Sequence, residues 1–435
     1  MGAFLGMRGT GDWATDERPK NWREGILFLY PNGSMPLTAI TSKMGSEKTD
    51  DAEYNWWTKN LPTQRAAVVA VYTDNGLTVA YTSGGVKGSV LYFKMTETDS
   101  KQFRVGHQVV CRDASDYTVD VVGKVTAVSS NGTNSYVGVK LLEADDNSSH
   151  SHDLSDCDVL LITGNINAEG AAMPTGISYD PVKYSNYTQI FRTPLSITRT
   201  AQQTKYRTGD KYAEMKREAL ELHGIEMEKA WIFGIPTEEV GSNGKPERTS
   251  AGFLYMLKTY CAANVDDYSL NASYAGKAWL DAGGGEDWLD AYLEVLFRYG
   301  ANEKLAICGN GALLGLNKLA KAGAHMTMTP QTKSYGIKVI EWITPFGTIN
   351  LLTHPLFNYE ATMRNGMMIL EPKNMKYRYI QDTKFFAEGT SAAAAGTQGG
   401  RIDGKEEEYL TECGMEYHHP YTAMFLNGVG EDSEV

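Results

Sequence analysis

The stretch from Asp210 to Phe233 constrains this chain most, because it is one long run of helix formers without a proline, opened by an aspartate and closed by Gly234 and Pro236. Asp210 can cap the N-terminus by accepting bonds from free backbone N–H groups, and Gly and Pro are stop signals. At about 1.5 Å per residue the rod is about 35 Å long, the span of a small domain. Tyr212, Met215, Ala219 and Leu222 recur every three or four residues, and Leu220, Met227, Ala230 and Trp231 widen this apolar face. Glu214 and Arg217 are spaced to pair across one turn. His223 reads as a packed or half-exposed helical residue rather than a general base. Such a helix is a backbone for something broad and flat.

Around that helix the texture of the chain changes several times. The first sixty residues mix Gly, Pro and charge with large aromatics (Trp13, Trp22, Tyr30, Trp56, Trp57), and only Gly25 to Tyr30 and Leu37 to Met44 resemble regular elements. This is the pattern of an arm. A buried ring contributes about 1.5–3 kcal/mol only if something covers it, and the cover is either a neighbouring subunit or the chain's own core.

From Ala66 to Thr163, short β-branched runs alternate with turn residues, which predicts a compact all-β subdomain. Its expected strands are Ala66 to Thr73, Leu77 to Thr82, Ser89 to Met95, Val105 to Val110, Val119 to Ser129, Tyr136 to Leu142 and Val159 to Thr163. Both an interaction module and a binding barrel fit this pattern. Tyr184 to Thr200 is extended around Pro194.

After the long helix, helices are expected at Ala251 to Tyr260, Trp288 to Tyr299 and Ala312 to Ala322. Lys304 to Cys308 reads as a buried strand, and Gly336 to Ile343 with Thr348 to Thr353 as a hairpin around Pro345-Phe346-Gly347. Further strands are expected at Met367 to Glu371, Lys376 to Gln381 and Glu407 to Asn427, and the acidic tail after Gly430 is expected to be disordered. The fold class is α+β.

The chemistry inventory is empty. Gly309-Asn310-Gly311-Ala312-Leu313-Leu314-Gly315 follows a strand and opens a helix as a dinucleotide loop would, but its third glycine falls one residue late. A tight strand-to-helix turn explains it as well. His150, His152, Asp153 and Cys157 lack a further ligand at zinc spacing, and His418 and His419 would point to opposite faces of a strand. G-x-S-x-G, H-E-x-x-H and P-loop patterns are missing. Neither a catalytic residue, a metal nor a cofactor is expected.

Lys and Arg number 41 against 53 Asp and Glu, a net charge of −12, which argues against a surface that grips nucleic acid phosphates throughout. The five cysteines form no C-x-x-C pair and read as reduced thiols in a cytoplasm-like compartment. No apolar run approaches the roughly 18 residues that cross a bilayer.

Certain runs resemble, in order, the major head proteins of a group of tailed bacteriophages. They are Asn186 to Phe191, Leu195 to Thr200, Glu221 to Glu226 with Ala230 to Gly234, Arg248 to Phe253, Tyr335 to Ile337, Pro355 to Phe357 and Met368 to Leu370. The resemblance spans about Lys183 to Leu426. It implies the Hong Kong phage type of capsid fold, shared by tailed phages and herpesviruses. In that reading residues 1–60 are an N-terminal arm, and 61–204 an extended loop carrying the inserted β-domain (about 66–163). Residues 205–248 and 361–435 form a peripheral domain on a spine helix, and 249–360 an axial domain.

The implied function is a structural major capsid protein that self-assembles into hexamers and pentamers of an icosahedral head around double-stranded DNA. It would be assembled in the host cytoplasm and reside in the virion capsid. Its implied partners are copies of itself, portal, scaffold and decoration proteins, and packaged DNA held non-specifically, with no membrane. Candidates for contacts between copies are Trp22, Tyr30, Trp56, Trp57, Tyr184, Tyr187 and Arg192. Three alternatives remain at this point: a nanocompartment shell enclosing a protein cargo, a nucleotide-dependent enzyme using the Gly309 to Gly315 turn, and a tail or decoration protein acting through the β-domain.

Overall fold

A computed structural model describes residues 45–59, 61–113, 120–145, 153–206, 209–323, 327–333, 337–387 and 404–435. The expected elements at Gly25 to Tyr30 and Leu37 to Met44, and His150 and His152, lie outside the described residues. Residues 59–182 form one compact unit, and the described residues on either side form the other.

In the larger unit a mixed seven-stranded sheet runs in the order Val265–Asp267, Met424–Asn427, Met367–Leu370, Glu303–Cys308, Thr348–Thr353, Ile337–Ile343, Thr327–Lys333. The expected hairpin is present, with Ile343 opposite Thr348. Side chains alternate across the central strands, as a period of two requires. Ala306, Cys308, Met367, Ile369, Met424 and Leu426 face one core, together with Trp288, Leu293 and Leu296 of the helix Gly285–Phe297 and Leu316 of the helix Asn310–Gly323. Ile307, Met368, Leu370 and Phe425 face another, with Phe253, Met256 and Leu257 of the helix Phe253–Tyr260 and Trp231 of the long helix. The sheet is thus covered on both faces, which explains its near-continuous apolar strands.

The long helix, Lys211–Phe233, starts where the sequence predicts, with Asp210 accepting from Tyr212 N (2.9 Å). Its buried residues are Ala219, His223, Met227, Glu228, Trp231 and Ile232, whereas Leu220 and Leu222 are exposed. The expected apolar face is therefore only partly correct. The buried stripe advances by four residues through Ala219, His223, Met227 and Trp231, and its polar member hides it from a hydropathy pattern. Ion pairs join Lys211 to Glu214 (2.6 Å) and Arg217 to Glu221 (3.1 Å), rather than Glu214 to Arg217.

This helix packs on a four-stranded sheet ordered Gly45–Lys48, Met375–Phe386, Gly404–Tyr417, Gln189–Thr198. Pro194 sits on an edge strand, where a missing N–H does least harm. His223 bridges the helix to two strands. Thr411 gives its hydroxyl proton to Thr383 (2.8 Å), so it accepts from His223 Nε2 (2.7 Å), which leaves Nδ1 to accept from Thr193 Oγ1 (2.9 Å).

Burial holds the His223 imidazole pKa below its ordinary value, against a smaller opposing pull from Glu226. Below about pH 6.5 the unfolded chain binds a proton there that the native state resists, so this contribution is present above about pH 6.5 and is lost as pH falls toward the depressed folded value. His223→Gln is expected to show a shallower loss of thermal stability than the native chain between pH 7 and pH 5. Parallel melting curves for the two proteins would contradict this account.

The chain's acidic end is docked: Trp279 N donates to Asp432 (2.8 Å), Glu434 N to Ser269 O (2.9 Å) and Gly276 N to Val435 O (2.9 Å). The expectation of disorder there is corrected, because the tail accepts from turn N–H groups at Asp432 and Val435 and donates its own Glu434 N–H to a turn carbonyl. The expected strand Glu407 to Asn427 is likewise broken. Gly404–Tyr417 and Met424–Asn427 lie in different sheets, separated at His419, which takes a left-handed φ of 49° before Pro420.

The unit 59–182 holds a seven-stranded antiparallel sheet ordered Arg65–Ala67, Val159–Asn165, His107–Arg112, Asp120–Ser129, Tyr136–Leu141, Val90–Lys94, Ala70–Tyr72. Its first and last strands are halves of one segment, kinked at Val68 and Val69, whose N–H groups bond Asp158 O (2.7 Å) and Lys94 O (2.8 Å). The sheet therefore closes on itself through this one kinked segment, which pairs with both of its ends. Phe93, Val109, Cys111, Val125, Val137, Val139 and Leu160 fill the interior. The expected strand Ala66 to Thr73 is thus two strands. Leu77 to Thr82 contributes only a bridge from Ala80 to Tyr72, because the Asp74 carboxylate accepts from Thr78 N (3.1 Å) and Val79 N (2.8 Å) and turns the chain there.

Candidate assembly surfaces

The glycine turn after Glu303–Cys308 is closed to a phosphate. Gly309 N donates to Gly366 O (3.1 Å), Asn310 N to Asn358 Oδ1 (2.6 Å) and Ala312 N to Arg364 O (3.1 Å), so donors that would bind an anion already serve the chain. A Cβ on Gly309 would lie 2.2 Å from Arg364 O, and one on Gly315 2.5 Å from Gly430 Cα. These glycines let segments of the same protein pack closely. Among the described residues no group of three or more His, Cys, Asp or Glu side chains is placed to hold a metal ion.

What the surface offers instead is uncovered apolar area. On the strand Glu53–Thr58 alternate residues face opposite ways, so Trp56 is buried while Trp57 is 60% exposed. The long helix displays Leu222, Ile225 and Phe233 away from its buried stripe. Ile190 is exposed on the strand Gln189–Thr198. Contiguous or repeated exposure of large apolar groups marks contact surfaces, whereas isolated cases are ordinary.

The family model for the SU10 major capsid protein matches residues 10–430. The chain belongs to this family. The capsid protein is a structural subunit of an icosahedral phage head, not an enzyme, and its place is the virion capsid. It is 22% identical to the major capsid protein of Pseudomonas phage PaMx41 over 453 aligned positions, covering all of this chain and 98% of that one. Similar solved structures include Microbacterium phage Oxtober96 (9% identity, 96% of this chain and 98% of that one, TM-score 0.42). The capsid of a native GTA particle is another (8%, 95% and 96%, TM-score 0.41), as is the holo-SrpI encapsulin of Synechococcus elongatus (12%, 57% and 76%, TM-score 0.37).

The capsid protein separates the seven expected contact residues into groups. Trp22 and Tyr30 lie outside the described residues. Trp56 and Tyr184 are corrected: both are buried in their own chain's core, their rings stacked at 5.8 Å. Trp56 also stacks on Tyr54 (6.0 Å) and donates from Nε1 to Tyr417 O (3.1 Å), while Tyr184 meets Tyr260 edge-on (4.6 Å). Neither ring is available to a neighbour. Trp57 is open, Tyr187 is half-buried, and Arg192 is exposed with its Nε donating to Glu408 (2.9 Å). Leu222, Ile225 and Phe233 were not among the expected contact residues. Their exposure has a signal in the sequence, since each lies off the four-residue stripe.

Proposed function

We propose that this capsid protein has the Hong Kong phage type of fold and assembles as hexamers and pentamers into a head that holds double-stranded DNA. The match to the major capsid family over residues 10–430 carries this reading. In it residues 1–60 serve as the arm, 61–204 as the extended loop, 205–248 and 361–435 as the peripheral domain, and 249–360 as the axial domain. The β-barrel within 59–182 is an insertion that stands on the shell or ties neighbours together. Trp57, Tyr187, Arg192, Leu222, Ile225 and Phe233 are the residues that other copies cover. Shell contacts between large surfaces bury well over the roughly 1,600 Å² of an ordinary pairwise interface. A net charge of −12 suits a wall that contains DNA without adhering to it. Portal, scaffold and decoration proteins complete the expected partners, and assembly takes place in the host cytoplasm.

Electron microscopy of the purified chain is expected to show closed particles or rings of five and six subunits. A monomer that persists at high concentration across buffers would overturn the proposal.

A further inference from the structure

The strand Gly45–Lys48 joins the edge of the four-stranded sheet in an unusual way. It adds parallel to Met375–Phe386, with Gly45 opposite Lys376 and Lys48 opposite Tyr379, and all four of its side chains are exposed. One more backbone bond, Thr49 N to Tyr379 O (2.9 Å), extends the ladder. The side-chain hold is electrostatic. Glu47 Oε1 lies 2.9 Å from Arg378 Nη1, and Glu47 Oε2 lies 3.5 Å from Lys376 Nζ. Arg378 is fixed from behind, because its Nε donates to the buried Glu416, whose other oxygen meets His418.

A few residues further on the situation reverses. Glu53 N donates to Asp51 Oδ1 (3.3 Å) in a tight turn, and then Tyr54 and Trp56 are buried in the core.

We propose that residues 45–49 form a charge-held latch, which opens as a unit at the 50–52 turn while the chain from Tyr54 onward stays docked. The side chains of Gly45–Lys48 are already exposed and Thr49 is the latch's one buried residue, so opening takes no large apolar side chain of the latch out of the core. Strands this short are marginal by themselves. One carboxylate shared by two cations is therefore a large fraction of what keeps the latch shut. The pairing weakens with salt, since the Debye length falls from about 10 Å at 0.1 M to about 3 Å at 1 M.

Hydrogen exchange on the full-length protein tests this by comparing peptides covering 45–49 and 53–58. Glu47→Gln, or a rise to about 1 M sodium chloride, is expected to speed exchange in 45–49 about fivefold, with no change in 53–58. Lys376→Gln should give a smaller acceleration, because Arg378 still holds Glu47. Unchanged protection of 45–49 under both treatments would show that the backbone ladder alone holds the strand. Joint opening of 45–49 and 53–58 would show that there is no separate latch. Either result overturns the proposal.

Discussion

Trp56→Ala is expected to destabilise the capsid protein by about 3–5 kcal/mol, whereas Trp57→Ala leaves the isolated subunit within about 0.5 kcal/mol of the native chain and impairs assembly instead. The two residues are neighbours with the same chemistry, so the contrast isolates environment. Trp56 is 5% exposed, stacked between Tyr54 and Tyr184, with its N–H on Tyr417 O. Truncation empties a cavity among packed rings and leaves that carbonyl without its donor. Trp57 gives up little in the free subunit because most of its surface is already in water. Urea unfolding of the soluble subunit measures the first effect, and the yield of particles by sedimentation measures the second. If Trp57→Ala assembles with native yield, Trp57 is not covered by another copy; if Trp56→Ala melts like the native chain, the aromatic stack does not hold the strand Glu53–Thr58 in place.

The same pair shows what the sequence could and could not convey. Alternation along a strand requires one tryptophan inward and one outward, but which is which depends on Tyr184 and Tyr417, far away along the chain. Local signals worked where the information is local. The cap at Asp210, the stop at Gly234 and the turn at Pro345-Phe346-Gly347 place the long helix and a hairpin close to where they lie. Barrel closure was not legible, because it depends on Val68 and Val69 bonding two strands from opposite ends of a sheet. The buried face of the long helix was half legible, since His223 and Glu228 occupy inward positions that hydropathy assigns to solvent. Each polar group placed there needs a distant partner: Thr193 and Thr411 for His223, and His354, 3.4 Å away, for Glu228. Among the candidate contact residues, the aromatic signal could not separate the exposed Trp57 from Trp56 and Tyr184, which are buried against each other within one chain.

Lys304→Ala is expected to cost about 3–5 kcal/mol, as removal of one member of a buried charge pair does. Lys304 is 1% exposed on a central strand of the mixed sheet; its Nζ donates to Tyr299 O (3.1 Å) and Thr422 O (3.0 Å) and lies 3.9 Å from Glu371. Taking the ammonium away leaves two carbonyls without that donor and a carboxylate held, among the described residues, by Ala301 N (3.3 Å) and Asn374 Nδ2 (3.1 Å). Lys304→Met, which keeps most of the volume, should cost less than Lys304→Ala. Burial pushes the Lys304 pKa down and Glu371 pulls it partly back. The unfolded lysine titrates near 10.4, so between the depressed native value and about pH 10.4 the unfolded chain binds the proton more firmly than the native one. Stability of the native chain relative to Lys304→Met should therefore rise with pH in that alkaline window. Buried tyrosines such as Tyr417, whose pKa burial raises, act in the opposite direction but equally in both proteins, so the difference isolates the lysine. Paired urea melts at pH 7 and pH 9.5 provide the measurement, and a difference that stays flat or shrinks would mean that desolvation of Lys304 is not what its site imposes.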